Sequence, residues 1–336
     1  MKVYDLVLLD LDGVVYIGPA AVPGAAQALD RVREAGMRTA FVTNNASRPP
    51  ETVAAHLRDL GIRAEDDDVV TSAQAAAALL SRRLPAGSAV LVVGGEGLYR
   101  ALEAVGLKPV ASVDQQPAAV VQGFSRDINW KLLAEGSRAV RSGLPWIATN
   151  TDLTVPTEYG PAPGNGTLVA AVAAATGVRP EVAGKPQPTL FREAVQRYGS
   201  RRPLVVGDRL DTDLEGARAA EMDGMIVLTG VHRVPELIAA APGTRPHLIA
   251  RDLFGLLSAH PEVKDSDQGW TAAAATVTVT GGKLRVVRSG PDALDLVRAG
   301  CAAAWDYTDT QQVPAPDPAA LMEALHNLEE AGPWGR

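Results

Sequence analysis

The chain has 336 residues, 46% of them hydrophobic, and a formal net charge of −7 from 39 acidic and 32 basic side chains. That length accommodates two or three domains with a sizeable core, and the acidic balance excludes nucleic acid or an anionic membrane as the main partner, since either would repel it. A single cysteine, Cys301, excludes an internal disulfide and points to a reducing cytoplasm.

The N-terminal "MKVYDLVLLD" carries no stretch of signal-peptide length before its first acidic strand end, and no apolar run approaches the ~20 residues that span a bilayer. Short apolar runs predict buried strands at 3–9, 38–43, 89–94, 118–123, 145–149, 203–207 and 225–230. Alanine-rich stretches between them predict helices at 24–36, 50–60, 72–84, 97–106, 130–142, 166–177, 187–199 and 213–223. This alternation is the pattern of an α/β fold, a doubly wound parallel sheet covered by helices on both faces. Beyond residue 260 the texture changes. Residues 260–269 read as a polar linker, "TVTVTGGKLRVV" (276–287) as a hairpin turning at Gly281-Gly282, and 291–305 and 317–331 as helices. Together they predict a small C-terminal α+β extension.

Polar residues gather where strands end, the place where open α/β sheets bind ligands. In "LVLLDLDGVVYIG" (6–18), Asp10 and Asp12 are two residues apart at a strand tip and so project to one side. Two close carboxylates raise each other's proton affinity unless a cation lies between them. With five scattered histidines, any metal must be held by oxygen, which suits Mg2+. Gly13 lets the chain turn and leaves backbone N–H groups open toward an anion. "FVTNNASR" (41–48) ends a strand in Thr43, Asn44 and Asn45, whose donors suit phosphate oxygens and equally suit plain helix capping. Lys185, in "VAGKPQPTLF" (182–191), is one of only six lysines in an arginine-biased chain, and it sits at a constrained Gly-Lys-Pro turn. "LVVGDRLDTDLEGA" (204–217) brings Asp208 to a strand tip, with Asp211 and Asp213 in the turn that follows, where acids also serve the helix dipole. "VVGGEGLYRAL" (92–102) suggests a dinucleotide-binding turn, but Arg100 stands where the fingerprint needs its third glycine.

The order Asp-x-Asp-Gly, Thr-Asn-Asn, Gly-Lys-Pro, Gly-Asp-x-x-x-Thr-Asp, each at a strand end or helix start, resembles the haloacid dehalogenase superfamily of phosphatases over about residues 3–258. The resemblance implies Asp10 as nucleophile and Asp12 as general acid and base. Thr43, Asn44, Asn45 and Gly13 would bind the phosphoryl oxygens, and Lys185 would balance charge. Asp10, Asp208 and the backbone carbonyl of Asp12 would hold Mg2+, with Asp213 behind them.

Thr43 follows Asp12 by 31 residues, too few for an inserted domain, whereas Lys185 follows Thr43 by 142. The expectation is a phosphatase core at 1–74 and 181–260, an α/β cap at 75–180 and the extension at 261–336. This organisation resembles the type-II-cap branch, which contains p-nitrophenylphosphatase-like, phosphoglycolate and glycerol-phosphate phosphatases. By the same analogy the cap loop 149–166 offers Asn150, Asp152 and Glu158 to the substrate. The tail resembles an acetyltransferase-like segment, lacks a glycine-rich acyl-CoA loop, and reads as structural or as a route to a homo-oligomer, which the cap could also provide. The implied activity is Mg2+-dependent hydrolysis of a small phosphorylated metabolite, with glycerol 3-phosphate preferred. The rivals are a phospho-accepting regulatory module, which would lack a cap, and a non-enzymatic scaffold, which would not keep all four motifs.

Overall fold

The computed structural model describes residues 4–331. Six parallel strands form the first sheet, in the order Leu248–Ala250, Asp223–Val227, Pro203–Gly207, Leu6–Leu9, Arg38–Thr43, Val69–Thr71. Leu6–Leu9 is its central apolar run. Leu6 and Leu8 enter one buried cluster with Phe191, and Val7 and Leu9 enter the opposite one with Phe41 and Leu29. A strand buried on both faces needs such an uninterrupted apolar run, and this accounts for the sequence signal.

Register brings the polar strand ends together. Leu9 pairs with Val206 on one side and Phe41 on the other. One step further, Asp10 lies level with Gly207 and Val42, so Asp208 and Thr43 emerge beside it at the carboxyl edge.

Between Thr71 and Pro203 the chain builds a second parallel sheet, in the order Glu181–Val182, Trp146–Ala148, Ala119–Gln122, Ala89–Val93, Lys108–Val110. A hairpin, Thr154–Thr157 with Gly160–Pro163, projects from it. The helix Ser72–Ser81 joins the two sheets. Its start is secured by a reciprocal cap between Thr71 and Gln74. Its alanines and Leu80 share one cluster with Leu8 of the first sheet and Val92 of the second. Small side chains on every face let both layers approach this helix closely.

Gly97 accounts for the last glycine of the "VVGGEGLYRAL" segment. It opens the helix Glu96–Ala104, donates its N–H to Ser47 O at 3.3 Å, and sits where a Cβ would overlap the Ala46 carbonyl. The glycine serves this close backbone approach.

Three expectations shift. The stretch 260–269, expected as a linker, carries the edge strand Val263–Lys264 of the tail sheet. The strand expected at 225–230 runs Asp223–Val227, which frees Thr229–His232 as a loop at the carboxyl edge. The helix expected at 213–223 is a wide π-type turn, Leu210–Leu214, followed by a short helix, Glu215–Ala219. The wide turn carries Asp213 inward, and the chain leaves the helix through Glu221 at φ 61°.

The tail is a four-stranded antiparallel sheet, Val263–Lys264, Trp270–Ala272, Ala275–Thr280 and Lys283–Arg288, covered by the helices Ala293–Gln311 and Ala319–Ala331. It packs directly on the first sheet. Leu296, Ala299 and Cys301 share one buried cluster with Ile226, Ile249, Leu210 and Leu214. Arg298 donates to Ile249 O at 2.9 Å, and Trp305 donates to Leu237 O at 2.8 Å.

Candidate active site

Asp10 follows Leu9 directly and is tied to the neighbouring strand by its N–H to Val206 O at 2.9 Å. The Lys185 ammonium reaches Asp10 Oδ1 at 2.5 Å and Asp213 Oδ1 at 2.7 Å. Lys185, Asp208 and Asp213 are buried, and oxygens of Asp10, Asp208 and Asp213 lie within 4.8 Å of one another. Four side chains from three separate stretches of the chain thus meet in one cage at the sheet edge.

Electrostatics follow from the burial. Burial works against the Lys185 charge, but Asp10 and Asp213 outweigh it and hold the ammonium protonated well above the usual lysine range. Burial pushes Asp10 upward, the Lys185 ammonium opposes this, and Asp213 and Asp208 add to the rise. Asp208 is pushed up to about 6 by burial and by the Asp213 charge. Asp12 stands more exposed at the mouth. Burial of its carboxyl raises its proton affinity, while Lys185, Arg48 and His56 pull the other way.

The donor and acceptor inventory separates the acids. Asp213 has both oxygens engaged, by Lys185 Nζ and by the Arg209 N–H at 3.2 Å. Asp208 accepts the Val231 N–H on Oδ2 at 2.6 Å, while among the described residues its buried Oδ1 has no partner. A buried carboxylate oxygen without a donor is costly, and together with the second Asp10 oxygen it makes an oxygen donor set that fits a small hard cation. Gly13 adopts φ 81°, and a Cβ there would strike the Asp208 carboxylate. A Cβ on Gly207 would strike Asp213. Both glycines leave room for acids to crowd together.

At the neighbouring strand end, Thr43 Oγ1 accepts the Asn45 N–H at 3.1 Å, which leaves its own hydroxyl hydrogen free. Asn45 Oδ1 accepts both Ser47 N–H and Oγ–H, at 2.9 and 2.7 Å, and its amide N–H donors remain available. Asn44 differs. Its Nδ2 donates to Lys185 O at 3.1 Å and to the Asp152 carboxylate at 3.3–3.4 Å, and its Oδ1 accepts the Lys185 N–H at 2.8 Å.

The cap loop enters through the same residue. Asn150 is buried and donates to Asn44 O at 2.7 Å. Asp152 lies half-buried within reach of Asn44. Glu158 is exposed on the turn of the cap hairpin, where it lines a surface cavity of about 590 Å³ with Arg126 and Tyr159. Among the described residues no hydrogen bond or ion pair ties Glu158 to the acid cage.

Sequence reasoning missed several supporting groups. Thr229 donates to Gly13 O at 2.5 Å, and His232 Nδ1 accepts the Leu210 N–H at 2.7 Å, so the loop after Asp223–Val227 braces both acid-bearing turns. The Thr-Gly pair at 229–230, again beyond a strand, was the available signal. Asn165, buried beneath the cap loop, donates to Asn150 O at 2.7 Å. It lies in a Pro/Gly-rich stretch that reads as ordinary turn chemistry.

Residues 7–108 match the haloacid dehalogenase-like hydrolase model, and 182–256 match a second hydrolase model of the same kind. The D-glycerol 3-phosphate phosphatase of Mycobacterium tuberculosis is 46% identical over 312 residues, covering 90% of this chain and 86% of that one. The chain belongs to the haloacid dehalogenase-like hydrolase family. An acid sugar phosphatase of Staphylococcus aureus is 38% identical over 239 residues, 70% of this chain and 91% of its own. Among solved structures, the M. tuberculosis glycerol phosphate phosphatase in complex with magnesium superposes with a TM-score of 0.83 at 46% identity, covering 91% of each chain. The p-nitrophenyl phosphatase of Archaeoglobus fulgidus gives 0.70 at 30%, covering 76% of this chain and 98% of that one. Residues 268–329 match a GCN5-related N-acetyltransferase-like domain.

Proposed function

We propose that this hydrolase is a Mg2+-dependent phosphatase that cleaves a small phosphate monoester, glycerol 3-phosphate, through an aspartyl-phosphate at Asp10. The observation that carries the reading is the cage itself: a free oxygen on Asp10, an orphaned oxygen on Asp208, and one ammonium shared by Asp10 and Asp213. The relative named for D-glycerol 3-phosphate supports the choice of substrate. We divide the chain into a core (1–74 and 181–260), a cap (75–180) and the extension (261–336), and we place the enzyme in the cytoplasm.

The phosphoryl group lies against Asp10, with its oxygens accepting from Thr43 Oγ–H and the Asn45 amide. Asp10 attacks phosphorus in line; the P–O ester bond breaks, and Asp12 gives its proton to the departing alkoxide. The Asp12 carboxylate then takes a proton from water, whose oxygen attacks phosphorus and breaks the bond to Asp10. Lys185 opposes the upward push of burial on Asp10 and holds its carboxylate toward the phosphoryl group. Asp10, Asp208 and the backbone carbonyl of Asp12 would hold Mg2+, which when bound neutralises charge on the transferring group. Asp213 holds Lys185 and the turn in place.

The test is phosphate release from a panel of monoesters with Mg2+, including 2-phosphoglycolate, pyridoxal phosphate and nucleoside monophosphates. Glycerol 3-phosphate should give the highest kcat/KM, and Asp10→Asn should release none while keeping the wild-type circular dichroism spectrum. Turnover by that variant would end the proposal.

A further inference from the structure

The side chain of Asn44 sits at the strand end where a phosphate ligand is expected, yet its donors are spent. An asparagine amide has two N–H donors and one carbonyl oxygen. One donor goes to Lys185 O at 3.1 Å and the other to Asp152 at 3.3–3.4 Å. The oxygen takes the Lys185 N–H at 2.8 Å. The remaining acceptor capacity would repel a phosphate dianion. The backbone carbonyl of Asn44 is engaged as well, by Ser72 Oγ at 2.6 Å and Asn150 Nδ2 at 2.7 Å.

One residue therefore ties four segments together: the strand end, the Lys185 turn, the start of the connecting helix and the cap loop 150–152. The fit is tight on both sides. A Cβ on Gly184 would press against Asn44 Oδ1, and the cap loop is held from behind by Asn165 on Asn150 O and by the Asn150 side chain on the Asp152 N–H at 3.2 Å. The charged groups facing Asp152 are Lys185, Arg209 and Asp213. None of them donates a hydrogen bond to its carboxylate; Asn44 does.

We propose that Asn44 is a positioning residue: its amide locks the Lys185 turn to the cap loop through Asp152, so that the lysine is aimed at Asp10 only while the cap loop is seated. This rests on the phosphatase reading above. It makes cap seating and lysine placement a single event, and it assigns Asp152 the task of completing that lock.

The experiment is a double-mutant cycle on the full chain, with kcat, KM and inhibition by inorganic phosphate measured for Asn44→Ala, Asp152→Ala, the pair together, and Asp152→Asn. An amide at 152 keeps an oxygen to accept from Asn44 and removes the charge. Displacing a group from its productive geometry costs about a hundredfold. Asn44→Ala and Asp152→Ala should each lower kcat to that extent, the pair should lose no more than either alone, and Asp152→Asn, which restores an acceptor for Asn44, should recover about tenfold or more of the Asp152→Ala loss. Multiplying losses in the pair, or a drop in Asp152→Asn matching Asp152→Ala, would overturn the proposal. So would full activity in Asn44→Ala. A wild-type protein inactive on every monoester would instead defeat the underlying phosphatase reading. Should Asn44→Ala fail to fold, the two Asp152 variants, altered only on the cap loop, still decide it through the same alanine–asparagine contrast.

Discussion

Replacing Lys185 with methionine keeps the length of the side chain and removes its charge. The wild-type ammonium stands 2.5 Å from Asp10 and 2.7 Å from Asp213. At an effective dielectric of about 20, each such contact corresponds to about 6 kcal/mol of attraction before desolvation is set against it. Among three carboxylates with oxygens within 4.8 Å of one another, each pair repels by about 3 kcal/mol on the same scale. Losing one partner of a buried pair costs about 3–5 kcal/mol net, because the stranded charge keeps its desolvation penalty. For a chain of this size that lowers Tm by about 4–7 °C. The assay is thermal unfolding in EDTA and again with Mg2+. The variant should melt well below wild type in EDTA, and Mg2+ should narrow the gap, since the extra uncompensated charge binds the cation more strongly. Equal melting in EDTA, or a gap that Mg2+ leaves unchanged, would refute the idea that the ammonium holds the acids together.

The metal-free protein should lose stability as pH rises from about 4 to about 6, because Asp208 binds its proton more tightly folded, at about 6, than unfolded, near 3.8. The raised folded value stabilises the protein below the unfolded one, and that advantage disappears as pH passes through 6; excess Mg2+ should flatten the profile in chemical denaturation. Thr43→Val preserves shape and removes the free hydroxyl donor, so kcat/KM should fall by about 10–100-fold, the worth of one hydrogen bond to a charged group; an unchanged value would remove Thr43 from the phosphate site. Arg298→Met strands the buried Asp295 carboxylate, 2.7 Å away in the wild type, and should lower the denaturation midpoint by an amount equivalent to about 3 kcal/mol; an unchanged midpoint would count against the buried pair.

Much of the sheet was legible because it is buried on both faces. The strand at 38–43 and the turn at Gly281-Gly282 lie where apolar runs and paired glycines indicate. The acid cage was legible because Asp10, Asp208 and Lys185 each follow a motif that places polarity beyond a strand or at a turn. Other elements gave no such signal. Val69–Thr71 is a three-residue strand directly before a helix, too short for a period to register. The hairpin Thr154–Thr157 with Gly160–Pro163 is rich in proline and glycine and reads as loop. The π-type turn at Leu210–Leu214 looks helical by composition, and its partners, Lys185 on Asp213 and His232 on Leu210, lie far from it in the chain. The partners of Asn44 were illegible for another reason: they lie 28 to 141 residues away along the chain, and nothing local distinguishes an amide that meets a ligand from one that meets a distant turn.

The shared cluster beneath Leu210 and Leu214 bears on how the chain can be handled. The tail supplies the apolar floor under the turn that carries Asp211 and Asp213. Cutting the protein after the linker would leave Ile226, Ile249 and both leucines facing water, a bare greasy patch directly behind the catalytic pocket. A hydrolase trimmed to the segment its family shares would tend to stick to itself before it could turn over substrate, so the appended segment is a foundation of this enzyme and cannot be removed as cargo.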